Sequence, residues 1–224
     1  KKKFWINLMT KNLKKRIITS IFLLFVLFFS FINYFLLGYI LLIATLLALI
    51  EFFAISSSIF TKSKVKSFFS IMTFIIFISY IAAAIFMLSS YFHLKILIFL
   101  LLFTCVASDI GGFVTGKILK GPKLTKISPN KTISGSIGSL LFAIVFITLI
   151  ISYLTNSFQI YSLFIGLINS IGCQVGDLFF SFLKRKSLLK DTGNILPGHG
   201  GVLDRIDGML LGIPLGFVTS LLIY

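Results

Sequence analysis

The sequence predicts an all-α fold: a polytopic integral membrane bundle of about seven transmembrane helices with a cytoplasmic amino terminus. Three observations predict it. Hydrophobic residues make up 58% of the 224 positions, 27 residues are Phe, and mean hydropathy is +1.08. Seven apolar stretches, at 17–37, 39–60, 68–90, 94–116, 135–154, 160–182 and 206–224, reach or approach the ~20 residues a helix needs to cross a hydrocarbon core. No water is available there to backbone N–H and C=O groups, so such stretches must be helical. The basic residues then fall on alternate connections. Lys1, Lys2, Lys3, Lys11, Lys14, Lys15 and Arg16 precede the first stretch, and Lys62, Lys64 and Lys66 follow the second. Lys117, Lys120, Lys123, Lys126 and Lys131 follow the fourth, and Lys184, Arg185, Lys186, Lys190 and Arg205 follow the sixth. Of the 21 basic residues only Lys95 falls on the other side. Excess Lys and Arg mark the cytoplasmic side, which puts the amino terminus inside and the carboxyl terminus outside.

Taken in order, the first span is expected to be a signal anchor. Its apolar core is too long for a cleaved signal peptide, and no small-residue cleavage pattern precedes Gly38. The chain begins at Lys1 without a Met, so a few preceding residues are expected. A tight turn at 38–39 should lead into the second span, where Glu51 stands alone among apolar residues. A carboxylate at that depth must be bonded or protonated, and a structural role is expected of it rather than a catalytic one. After the third span, His93 is expected at the outer interface beside Lys95, with no assigned function. Cys105 and Cys173 fall inside spans and read as small buried residues, with no sign of a disulfide or a metal knuckle. Residues 1–107 are therefore expected to be amino-terminal membrane-embedded helices. Residues 108–224 are expected to be a catalytic membrane half with cytoplasmic loops 117–133 and 183–205.

Within that half the texture changes. Asp109 is followed by Gly111, Gly112 and Gly116, which permit close helix contact or local unwinding. Pro122 and Pro129 then break the helix, and Ser134, Gly135, Ser136 and Gly138 open the fifth span beside Lys131 and Thr132. Free N–H groups at such a helix start suit a phosphate, although Gly and Ser also simply begin membrane helices. In the sixth span Asp177, Ser181 and Lys184 follow at helical spacing on one face. Asp204 and Asp207 are three apart at the start of the last span and can face together. Carboxylates favour a helix start electrostatically, but capping needs fewer than the five Asp residues here. Hard oxygen ligands with room for phosphate oxygens are what Mg²⁺ selects.

The loop between them adds Lys184, Arg185, Lys190, Asp191 and Arg205, with His199 set in Gly198–Gly201. Acids for a metal, bases for phosphates and glycines for close backbone approach describe phosphoryl or nucleotidyl transfer. His199 lacks a nucleophile-elbow context, which disfavours a Ser-His-Asp hydrolase. The net charge of +15 is better explained by topology and anionic head groups than by nucleic acid, and no nucleic-acid partner is expected. A transporter would place its acids at the bilayer midplane rather than near cytoplasmic helix ends.

Ser181, Lys184–Arg185, Lys190–Asp191, His199–Gly201, Asp204–Arg205 and Asp207 together resemble the signature of the phosphatidate cytidylyltransferase (CDP-diacylglycerol synthase) family. The segment ISPNKT at 127–132 and the Asp109 region resemble it too, so the similarity covers about residues 108–214. One departure stands out: Ser134 occupies the place where the family often has Glu, in a Lys-Thr-x-Glu-Gly pattern. That contact must be absent or supplied elsewhere. The resemblance implies transfer of a cytidylyl group from CTP to phosphatidate, giving CDP-diacylglycerol and pyrophosphate in phospholipid biosynthesis. It implies Mg²⁺ held by Asp177, Asp204 and Asp207, with a second, monovalent cation left open. Ser128, Lys131 and Thr132 would hold CTP phosphates, with Asp109 at the rim. Lys184, Arg185, Lys190 and Arg205 would bind phosphatidate or pyrophosphate, Asp191 would orient Lys190 or ligate a second cation, and His199 would bond a phosphate. The site belongs at the cytoplasmic face of a bacterial plasma (inner) membrane, against membrane lipid, and a homodimer stays open. The rival in the same chemical territory is a CTP-dependent lipid kinase, which would release CDP. A CDP-alcohol phosphotransferase lacks support, because Met209 follows Asp207–Gly208 where an Asp-Gly-x-x-Ala-Arg pattern would be needed.

Overall fold

The computed structural model describes the backbone of residues 2–125, 127–129, 131–193, 195 and 200–223, with side chains from residue 17 onward among these. Eight helices follow one another among the described residues: α1 (Lys2–Ile32), α2 (Tyr34–Ile59), α3 (Lys64–Leu88), α4 (Phe92–Leu119), α5 (Ile133–Thr155), α6 (Tyr161–Lys186), α7 (Leu203–Ile206) and α8 (Met209–Ile223). Among the described residues there is no strand beyond a single antiparallel bridge, Lys123 with Thr132. Six helical runs among the described residues are long and apolar enough to cross a membrane, the last being Leu203–Ile223, and the apolar part of α1, Ile17–Ile32, is shorter. The protein is a polytopic helical membrane bundle.

The expected turn at 38–39 is corrected. The chain breaks at Asn33, whose extended backbone starts a new helix and whose side chain accepts from the amides of Phe35 (3.0 Å) and Leu36 (3.2 Å). Asn is among the strongest N-caps, so it ends α1 where composition gave no signal. Gly38 sits inside α2 instead, where a Cβ would stand 2.7 Å from the Phe86 ring. Its smallness serves packing rather than a turn.

The chain forms two compact units. The first comprises Lys1–Ser90 with Ser187–Arg205, that is α1, α2, α3 and the segment that follows α6. Here α2 and α3 meet through stacked rings, Phe52 on Phe74 (3.9 Å) and Tyr34 on Phe86 (4.4 Å), and through the hydroxyls of Ser56 and Ser67 (3.3 Å). Ser63 caps α3 by accepting from the Lys66 amide.

The second unit comprises Tyr91–Lys186 with Ile206–Tyr224 and holds α4, α5, α6 and α8 around Leu101, Cys105, Ile147, Ile165, Cys173 and Ile213. Lipid tails are as apolar as these side chains, so helix association rests on close packing and interhelical bonds. Small residues supply the first. A Cβ on Gly172 would stand 3.0 Å from the Gly212 Cα, and one on Gly176 would stand 2.5 Å from the Asp207 carbonyl oxygen. Glycines at 172 and 176 of α6 thus face those at 208 and 212, one helical turn apart on each side. On the other flank, Gly112 and Gly116 of α4 meet Gly135 of α5. Buried Asn169 supplies the second, donating to the carbonyls of Gly212 (3.1 Å) and Leu101 (3.4 Å). Lys95, expected at the outer interface, is buried in the first turn of α4, while His93 is exposed. The long stem of Lys lets it be covered in this way.

Candidate active site

In the second unit, α4 ends at Lys120 and Gly121, both at positive φ (47° and 133°), and Pro122 stops any continuation. The chain then folds back on itself. Leu124 donates its amide to the Lys131 carbonyl (2.8 Å), Lys131 to that of Ser128 (3.0 Å), and Ile133 to that of Pro122 (3.0 Å). Thr132 caps α5, accepting from the Gly135 amide at 3.1 Å. The N–H groups of Ile133 and Gly135 are therefore engaged. Ser134 bonds the Lys120 carbonyl (3.2 Å) and the Thr132 hydroxyl (3.1 Å), so it ties the end of α4 to the start of α5.

These elements enclose a cleft of about 290 Å³ lined by Asp109, Ser128, Lys131, Thr132, Ser136, Gln174 and Asp177, among others. Lys131 Nζ lies 2.9 Å from Asp177 Oδ2. Asp177 also adjoins the last helix: its Oδ1 would stand 2.7 Å from a Cβ on Gly208, so only glycine allows this approach. Next to Gly208, Asp207 sits in the break between α7 and α8 and pairs with Lys184 Nζ at 3.6 Å. One ligand atom from each of Asp109, Cys173 and Asp177 falls within 4.8 Å of the others, a grouping able to hold a metal ion. The sequence missed Cys173 here, because a cysteine in an apolar span carries no spacing that marks it as a ligand. It also missed Gln174, which donates to the carbonyl of Ser136 (3.2 Å) and to the hydroxyl of Ser170 (3.4 Å), with Ser170 bonded to Ser108 (2.7 Å). The only available signal was an amide inside a span, costly unless bonded.

Arg185 is exposed on the last turn of α6. In the first unit, Lys190 and Asp191 are exposed on the segment that follows α6, and Asp204 Oδ2 accepts the amides of Thr192 (2.8 Å) and Gly201 (3.1 Å). Arg205 follows on α7 with an exposed side chain. His199 lies outside the described residues. Glu51, expected to need a bonding partner, accepts from Thr192, Val202 and Leu203.

A family model described as "Cytidylyltransferase family" matches residues 5–223. The chain belongs to the cytidylyltransferase family. Among curated proteins, this cytidylyltransferase-family chain is similar to a phosphatidate cytidylyltransferase of Helicobacter pylori, 44% identical over 113 residues, which cover 50% of this chain and 42% of the relative. It is similar to one of Rickettsia felis, 40% identical over 134 residues (55% and 59%), and to one of Bacillus subtilis, 44% identical over 118 residues (50% and 44%). The chain spans about half the length of the curated relatives it matches. A multi-pass membrane protein with bacterial relatives is thus established.

Proposed function

We propose that this protein transfers a cytidylyl group from CTP to phosphatidate, giving CDP-diacylglycerol and pyrophosphate, in the cytoplasmic leaflet of a bacterial plasma membrane. The observation that carries the reading is the shared cleft of Ser128, Lys131 and Thr132 with Asp109 and Asp177, in a chain of the cytidylyltransferase family. The names of the bacterial relatives support the choice of phosphatidate as acceptor.

Phosphatidate is a phosphomonoester carrying roughly −1.5 to −2 charge near neutrality. One of its oxygens attacks the α-phosphorus of CTP, the bond to the β-phosphate oxygen breaks, and pyrophosphate leaves. The nucleophile is already ionised, so no general base is needed, and the obstacle is repulsion between two anions. Lys131, Ser128 and Thr132 hold the CTP phosphates. Lys184, Arg185, Lys190 and Arg205 serve phosphatidate and departing pyrophosphate, His199 bonds a phosphate, and Asp191 orients Lys190.

The donor set fits a hard divalent cation. Carboxylate oxygens of Asp109 and Asp177 come within 4.8 Å of each other and Asp207 stands beside Asp177, while the soft thiol of Cys173 is no ligand for Mg²⁺. Asp109, Asp177 and Asp207 would hold Mg²⁺. Asp204, whose Oδ2 is given to two loop amides, is read as a loop anchor. Bound there, Mg²⁺ would supply positive charge toward the reacting phosphates.

The test is pyrophosphate release and formation of a CTP-derived lipid by purified protein given phosphatidate, CTP and Mg²⁺. Both products, lost in Asp177→Asn, support the reading. Release of CDP with a newly phosphorylated lipid would replace it with a lipid kinase.

A further inference from the structure

The described parts of 187–205 meet α2 at two levels. Near the end of that helix, Ser58 donates its hydroxyl to the Ser187 carbonyl at 3.1 Å. Roughly two helical turns earlier, on the order of 10 Å deeper, the segment meets α2 again at Glu51. Irregular backbone at membrane depth is tolerated only where its polar groups find partners within the protein.

Glu51 supplies those partners. Its Oε1 accepts from the Val202 amide (2.9 Å), and its Oε2 accepts from the Leu203 amide (2.8 Å) and the Thr192 hydroxyl (2.6 Å). The carboxylate is 3% exposed. Glycines make room for it: a Cβ on Gly193 would stand 2.9 Å from Oε1, and one on Gly201 would collide with Oε2. Asp204 takes the neighbouring amides of Thr192 and Gly201, so two carboxylates receive three consecutive N–H groups at 201–203 and both polar groups of Thr192.

We propose that Glu51 is a positioning residue for the reaction. From α2, 141 positions away from Thr192, it fixes the two described ends of the segment, Thr192–Gly193 and Gly200–Leu203. The flanking Lys190, Asp191, Asp204 and Arg205 are held in place as a result. The inference rests on the function proposed above, since those residues are the ones assigned there to lipid phosphate, pyrophosphate and loop anchoring. A buried acid that only braced the helices would change stability without selecting between substrates.

The experiment combines amide hydrogen exchange of the full chain with kinetics of pyrophosphate release. Glu51→Gln keeps the side-chain shape but sets an NH₂ against a donor that an oxygen now accepts. Exchange across 200–205 is expected to rise about 10- to 100-fold, the consequence of one buried bond lost and one donor left unsatisfied. The KM for phosphatidate should rise roughly tenfold while that for CTP stays within about twofold, because the assigned CTP residues lie on another segment. Thr192→Ser, which keeps the hydroxyl, should match wild type, and Thr192→Val should shift in the direction of Glu51→Gln. Unchanged exchange in Glu51→Gln, equal behaviour of the Ser and Val variants, or a lower melting temperature with both KM values unchanged would each overturn the proposal. If Glu51→Gln does not fold, the Thr192 pair decides alone. Wild-type protein that releases no pyrophosphate would overturn the function, while the exchange measurement would still read the clamp.

Discussion

Asp177 is the residue on which most of the candidate chemistry converges. It pairs with Lys131, adjoins Asp207 and falls within one ligand-sized grouping with Asp109. Asp177→Asn keeps the volume and removes the charge. It is expected to lower turnover by about 10²- to 10³-fold, the usual loss when a single electrostatic contact to a transition state is removed. The protein should still elute as folded in detergent; near-wild-type turnover would remove Asp177 from the metal assignment. Lys131→Ala should raise the KM for CTP roughly tenfold and that for phosphatidate less, as expected for one charge-assisted phosphate contact. Equal effects on the two substrates would argue that Lys131 serves only to neutralise Asp177. Ser134 makes a different point. Its hydroxyl is already committed to the Lys120 carbonyl, so the position where the family often carries Glu here joins two helix ends.

At the scale of elements, the glycine pairs of α6 with Gly208 and Gly212 at the start of α8 set where Asp177 and Asp207 stand. Gly176 and Gly208 permit backbone contact, and that contact brings Asp177 beside Asp207. Adding a side chain at Gly212, where a Cβ would stand 2.8 Å from the Cys105 sulfur and 3.1 Å from the Asn169 carbonyl, must push backbone as well as side chains. Gly212→Val is expected to cost about 1–3 kcal/mol by overpacking and to lower the melting temperature in detergent. Gly38→Ala, whose new Cβ meets the edge of the Phe86 ring, should be milder, because that ring can rotate. If both variants melt alike, close packing of α6 on α8 is not what holds the second unit.

For the whole molecule, the distribution of Lys and Arg makes orientation a testable quantity. The proposed topology puts the α2–α3 connection in the cytoplasm and the α5–α6 connection outside. Cys105 and Cys173 are buried and free, so a single engineered cysteine can be read against them. Ser63→Cys should label only after the membrane is opened to the reagent from the cytoplasmic side, and Ser157→Cys should label in intact cells. The reverse pattern, or both labelling from one side, would refute the orientation and move the site to the other face.

Much of this was legible in the chain itself. Long apolar runs dictated membrane helices, since lipid leaves backbone groups no other partner. The spaced Asp, Lys and Arg of 177–207 and the Ser-Pro-Asn-Lys-Thr segment pointed to phosphate chemistry because these residue types suit anions and hard cations. What the sequence could not give was which of those groups stand together. Periodicity places residues on a helix face but says nothing of the face opposite. So the pairing of Lys131 with Asp177, the place of Gln174 in the cleft, and the approach of Cys173 to Asp109 and Asp177 came only with packing. The break at Asn33 and the reach of Glu51 across to Thr192 and Leu203 came from packing as well. A carboxylate alone in an apolar run must find donors, but only the tertiary structure decides which ones, because they lie more than a hundred residues away in the chain.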